Sequence, residues 1–148
     1  MARIDRRRLD GADFPTTMTV ATRFSDMDVL GHVNNAAAAV LLQEARTGLN
    51  HQAGYSELRE GLRPVVASLT IEYAGEMHHP GPVEIETGVL SLGRTSLVVG
   101  QRARQGGRVT LYAETVLVMT DGERPTPIPD SLRAAYERVM IRPRELQA

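Results

Sequence analysis

The segment Arg23-Phe24-Ser25-Asp26-Met27-Asp28-Val29-Leu30-Gly31-His32-Val33-Asn34-Asn35 brings two carboxylates, an imidazole and two side-chain amides into one short stretch. The chain has no cysteine, so thiolate nucleophiles, disulfides and zinc–thiolate sites are excluded together. What remains is carboxylate, imidazole and backbone dipole. A carboxylate can attack a carbonyl or activate a water. The unpaired amides at a helix N-terminus carry about half a positive charge and can receive the oxyanion of acyl transfer. Asp28, with Gly31, His32 and Asn35 close by, is the candidate for the first role. Asp26 reads as a turn-former or cap. His32 has three readings: it orients Asp28 or the substrate, it is a satisfied buried histidine, or it ligates a metal. The last needs at least three well-placed ligands. His51, His78 and His79 bear no recognisable spacing relation to the loop, and His78-His79 reads as surface loop, so no metal site is expected.

The elements that must position these groups can be read on either side. Residues 17–24 alternate, with Met18, Val20, Thr22 and Phe24 on one face, as a strand does. From Ala36 to Leu49 the period changes, and Ala38, Leu41, Leu42, Ala45 and Leu49 form a helix stripe. Asn34 or Asn35 suits its N-cap, and it should stop between Gly48 and Gly54. Strands are expected over 65–73 (Ala67, Leu69, Ile71 and Tyr73 on one face), 83–92, 95–104 and 109–119. Gln105-Gly106-Gly107 is a hairpin turn and Leu92-Gly93-Arg94 a second tight connection. Residues 121–129 should be irregular and 131–140 a short helix with Leu132, Ala135, Tyr136 and Val139 inward.

One long helix followed by hairpin-linked strands is an α+β pattern. A single helix cannot cover both faces of an antiparallel sheet, so the sheet wraps it, or the bare face meets another subunit. Domain boundaries follow: an N-terminal arm at 1–15, one domain at 16–140 and a tail at 141–148. Arg3, Arg6, Arg7 and Arg8, interrupted by Asp5 and Asp10, read as a solvated, frayed terminus.

With 148 residues the chain suits one domain, and a net charge of −1 gives no general pull toward nucleic acid or membrane. Neither a membrane-length apolar run nor the basic-then-apolar order of a secretory signal is present, so a cytoplasmic protein is expected. The chain shows no G-x-S-x-G elbow, P-loop, dinucleotide fingerprint or H-E-x-x-H. Glu44 inside the helix reads as structural, with Arg46 or Arg23 as partner if it is buried. Arg94, Arg102, Arg104 and Arg108 form a second basic group, either an exposed sheet face or a phosphate-recognition set.

R-F-S-D-M-D-x-x-G-H-V-N-N followed by Q-E-A-R resembles the acyl-CoA thioesterases of the 4-hydroxybenzoyl-CoA thioesterase type. The likeness continues through 66–73, 81–87, 92–97, 113–119 and 127–129, and so spans roughly 16–140. The resemblance implies a hotdog fold, an antiparallel sheet of about five to six strands wrapped around one central helix, with a short C-terminal helix. It implies protomers paired sheet to sheet as dimers or tetramers, and Asp28 as nucleophile or general base. The amide near Asn35 would polarise the thioester carbonyl. In the similar plant acyl-ACP thioesterases, positions matching Asp28 and His32 are catalytic. The substrate-binding set is then Gly31, Asn34, Arg94, Thr95, Ser96, Arg102 and Arg104, with coenzyme A as part of the substrate and no cofactor. Leu30 departs from the plant pattern, and Ala36 to Ala39 replace frequent aromatics, which implies a roomy acyl site. Two other functions compete: an enoyl-CoA hydratase on the same fold, whose pattern Val29-Leu30-Gly31 does not fit, and a non-catalytic acyl-thioester-binding module.

Overall fold

The computed structural model describes residues 3–144; residues 1–2 of the expected arm and 145–148 of the expected tail lie outside them. In chain order come α1 (Arg7–Asp10), β1 (Ala12–Asp13), β2 (Thr16–Ala21), α2 (Asn35–Ala53), α3 (Tyr55–Leu58) and β3 (Arg63–Tyr73). They are followed by β4 (Pro82–Leu92), β5 (Ser96–Gln105), β6 (Arg108–Thr120), α4 (Asp130–Glu137) and β7 (Arg142–Pro143). No helix among the described residues is long and apolar enough to cross a membrane.

Five strands form an antiparallel sheet in the order β2-β4-β5-β6-β3. Alternation gives it an inner face against α2. Toward the N-terminus of α2, Val20, Val83, Ile85, Ala103, Leu111 and Ala113 pack with Leu41, Leu42 and Ala45. Toward its C-terminus, Val89, Leu97, Val99, Leu117 and Met119 pack with Leu49, Leu132 and Tyr136. Leu42 and Leu49 are fully buried, each contributing about 2 kcal/mol of transfer free energy. Between the two clusters lies a polar belt. Gln101 Nε2 donates to Leu42 O (3.0 Å) and Thr87 Oγ1 (3.1 Å), and Arg46 Nη1 donates to Gln101 Oε1 and Thr115 Oγ1, both at 3.4 Å. Burial pushes the Arg46 guanidinium below its ordinary pKa. Arg46 therefore does not partner Glu44, which stays exposed.

The helix extends past the expected stripe to Ala53. Asn34 Oδ1 caps it by accepting the Ala36 N–H at 2.8 Å, and Gly54 ends it in the left-handed region at φ +76. Gly106 and Gly107, at φ +59 and +77, make the two-residue turn that joins β5 to β6. The strand expected to reach Phe24 stops at Ala21. There Thr22 Oγ1 donates to Gly81 O (2.8 Å), and the Asp26 carboxylate accepts the Arg23 N–H (2.8 Å), so side chains replace the ladder. Phe24 opens a turn of 3-10 helix and is exposed.

Among the described residues, the arm does not fray. Ile4, Leu9 and Ala12 are buried against Tyr112 and Ile141 on the outer face of the sheet. The Ile4 N–H donates to Glu72 (2.7 Å), Arg6 pairs with the same carboxylate (2.9 Å), and β1 pairs with β7. Gly88 and Gly100 oppose each other on β4 and β5, and a Cβ on either would collide with Ile141. The chain thus covers much of its own outer face. At the other extreme β3 is an edge strand, with Val65, Val66, Leu69 and Tyr73 each between 37% and 51% exposed. A bulge between Val66 and Ser68 leaves Ala67 out of register.

Candidate active site

The loop from β2 to α2 is closed by its own backbone. The Asp28 N–H donates to His32 O (2.9 Å), the Gly31 N–H to Asp28 O (3.1 Å), and Met27 bridges to Val33. Gly31 adopts φ +81, a conformation costly for other residues, which lets this corner turn. The Asp28 side chain lies over the turn, where Oδ1 accepts the N–H groups of Leu30 (2.9 Å) and His32 (3.4 Å). Two more bonds tie the loop down: Asn34 N–H to Asp26 O and Val33 N–H to Met77 O, both 2.7 Å.

Asp26 is the buried member of the pair. Arg23 Nη2 reaches its Oδ1 at 2.8 Å, and that hydrogen bond holds the Asp26 carboxyl below the usual carboxylate value. The structure displays the turn-forming role expected of Asp26. Asp28, Gly31, Asn34 and Ala37 line one open cavity of about 720 Å³, which the chain from Phe24 to Val29, Asp26 included, also borders. Among the described residues, the amides of Asn35 and Ala37 at the start of α2 carry no hydrogen bond. A carboxylate therefore shares a cavity with a capped helix N-terminus whose first turn still has free donors.

The remaining expected residues lie apart. His32 turns away from the cavity toward Glu76, Nε2 to Oε2 3.2 Å. Arg94 and Thr95 occupy the β4–β5 turn and Ser96 opens β5, a full strand length from the loop end of β4, about 33 Å. There backbone bonds from Ile128 to Arg94 O and from Met119 to Thr95 O hold them. Arg102 is 4% exposed at its side chain rather than on a bare face. Its guanidinium is engaged by Glu86 (3.0 and 3.1 Å) and by Asp10 (3.1 Å) beneath the arm, which leaves no free fork for a phosphate. Arg104 Nε lies 3.3 Å from the same Glu86 without hydrogen-bonding geometry. Of the four alanines, Ala37 lines the cavity, while Ala38 belongs to the core.

Two features were not legible in the sequence. Tyr73, on the edge strand, donates its hydroxyl to Asn35 O (3.1 Å), so β3 reaches the helix N-terminus; alternation put Tyr73 on one face with Leu69 and Ile71 but gave no hint of that reach. His78 lies beside His32, ring centroids 5.4 Å apart, although no spacing in the chain relates the two. Among the described residues, no group of three or more His, Asp or Glu side chains could hold a metal ion.

Known proteins resemble this chain in sequence and in fold. The acyl-CoA thioester hydrolase YbgC of Escherichia coli is 28% identical over 125 residues, 80% of this chain and 93% of that protein. A thioesterase of Thermus thermophilus, solved in complex with coenzyme A and Zn, is 31% identical with a TM-score of 0.78, covering 88% of this chain and 96% of its own. The DHNA-CoA thioesterase of Staphylococcus aureus shares the fold at 20% identity, with a TM-score of 0.75 over 84% of this chain and 89% of its own. The profile of the thioesterase-like superfamily matches residues 22–136. A five-stranded sheet packed on one long helix, with these relatives, is the hotdog architecture, and the chain belongs to the thioesterase-like superfamily as a thioester hydrolase.

Proposed function

We propose that the protein hydrolyses an acyl-coenzyme A thioester, with Asp28 as nucleophile or general base and the first amides of α2 as the oxyanion hole. The observation that carries this reading is the shared cavity of Asp28, Gly31, Asn34 and Ala37 at a helix N-terminus with unpaired amides. As general base, Asp28 takes a proton from water while the oxygen attacks the thioester carbonyl. Charge then grows on the carbonyl oxygen, where the Asn35 and Ala37 N–H groups are available to it. Collapse breaks the C–S bond, and the departing thiolate takes up the proton. As nucleophile, the same carboxylate attacks the carbonyl and expels the thiolate as the C–S bond breaks, and water hydrolyses the resulting mixed anhydride to the free acid and the regenerated carboxylate.

A second copy of the chain fits this reading. Val65, Val66, Leu69 and Tyr73 on the edge strand, and Phe24, Val29, Leu30 and Val40 near the site, are large apolar side chains left exposed. Pairing along β3 would cover the edge. Arg94, Thr95 and Ser96, remote from Asp28 in their own protomer, would then serve coenzyme A bound at a neighbouring copy. Coenzyme A is part of the substrate, no further cofactor takes part, and the cytoplasm is the proposed setting.

Thiol release from a panel of acyl-CoAs, wild type against Asp28→Asn, tests the proposal. The expected result is hydrolysis reduced by about 10³-fold or more in the variant. Undiminished release by Asp28→Asn removes Asp28 from the chemistry. Hydration of crotonyl-CoA without thiol release, or binding without turnover, would overturn the reading altogether.

A further inference from the structure

The segment linking β3 to β4 grips the catalytic loop through side chains with no role so far. His78 Nδ1 lies 3.2 Å from Gly31 O, and its Nε2 lies 3.6 Å from Glu76 Oε2. The same Glu76 oxygen is 3.2 Å from His32 Nε2. One carboxylate thus faces two imidazoles, and one of those imidazoles also reaches the loop backbone. His78 is itself held: its N–H donates to Gln105 Oε1 (2.8 Å), and its carbonyl accepts Gln105 Nε2 (2.7 Å). The sequence of contacts runs from the end of β5, through Gln105 and His78, to the Gly31–His32 corner. The Asp28 carboxylate rests on the amide of His32 and that of Leu30, so a corner that shifts carries the carboxylate's donors with it.

We propose that Glu76 and His78 are positioning residues that clamp the Gly31–His32 corner and so hold Asp28 toward the start of α2. The proposal rests on Asp28 being the working carboxylate. The His78 ring thus has Gly31 O at hydrogen-bonding distance on one side and the Glu76 carboxylate, 3.6 Å away, on the other. The charged and titratable groups around it are His32 and Glu76, with Arg108 across a cavity of about 680 Å³ that Glu76, His78 and Gln105 also line. None of these side chains lines the cavity that holds Asp28. They act on orientation and not on substrate contact.

The test uses the full-length protein with His78→Ala, His78→Asn, Glu76→Gln and Asp28→Asn. His78→Ala should lower kcat about tenfold with KM changed less than about twofold, because a displaced catalytic group costs turnover. Backbone amide exchange at residues 28–33 should speed up in the same variant. Asn keeps a donor where Nδ1 stood, so His78→Asn should recover most of kcat and of the protection. Glu76→Gln should show a smaller fall in kcat, and it keeps the question open to measurement if His78→Ala unfolds. A His78→Ala or Glu76→Gln protein with wild-type kcat and wild-type exchange overturns the clamp. The exchange readout does not depend on which residue does the chemistry, whereas turnover by Asp28→Asn overturns the Asp28 reading alone.

Discussion

Asp26 and Asp28 stand two residues apart, yet their carboxylates meet different surroundings. Asp26 is buried and takes the Arg23 backbone N–H and guanidinium, whereas Asp28 leans on two turn amides beside open space. Asp26→Asn should therefore cost stability, on the order of 1–3 kcal/mol, as expected when a buried charge-assisted bond is lost. The sign with pH follows from the depressed folded-state pKa of Asp26. An unfolded aspartate titrates near ~3.9, so the contribution is fully present above that value and is lost as pH falls through the folded-state pKa. Urea titrations of both proteins should show a constant gap from about pH 5 to 7 that closes below about pH 4. A gap unchanged down to about pH 3 would assign the loss to shape and not to charge.

At the scale of elements, the arm carries the clearest consequence. Leu9 is fully buried between α1 and the outer face of the sheet, beside Tyr112 and Ile141. Leu9→Ala should cost about 2–5 kcal/mol in thermal or urea denaturation. Because the cluster around Leu9 includes no residue of the loop, kcat per folded molecule should not change. A cost below about 0.5 kcal/mol would mean that the arm is only loosely laid on the sheet. The hydrophobic periods of α2 and of four strands were readable because each is long and repeats its pattern many times. The arm was not: Ile4 and Leu9 are single apolar residues among arginines, and only contact with Tyr112 and Ile141 gives them meaning. In the site, Asp28, Gly31 and Asn34 were legible because they are neighbours in the chain. Glu76 and His78 were hidden because more than forty residues separate them from Gly31 and His32, and tertiary folding alone joins them.

For the whole molecule, the proposed pairing along β3 makes a direct prediction. Leu69→Lys places a charge on the apolar inner side of the edge strand, where Leu69 is 37% exposed. The wild type should sediment as a dimer or larger, and Leu69→Lys should shift toward monomer and lose activity with it. Equal sedimentation of the two proteins would remove β3 as the contact. Within each protomer, the belt of Thr87, Gln101 and Thr115 has a separate consequence for which fold the chain selects. A slip of β5 by one residue would turn Gln101 outward and drive Arg102 between the two apolar clusters, away from Glu86 and Asp10. The belt then works as a register lock: its few hydrogen bonds add little to the depth of the native state, yet they raise the free energy of every misaligned sheet that the same strands could form.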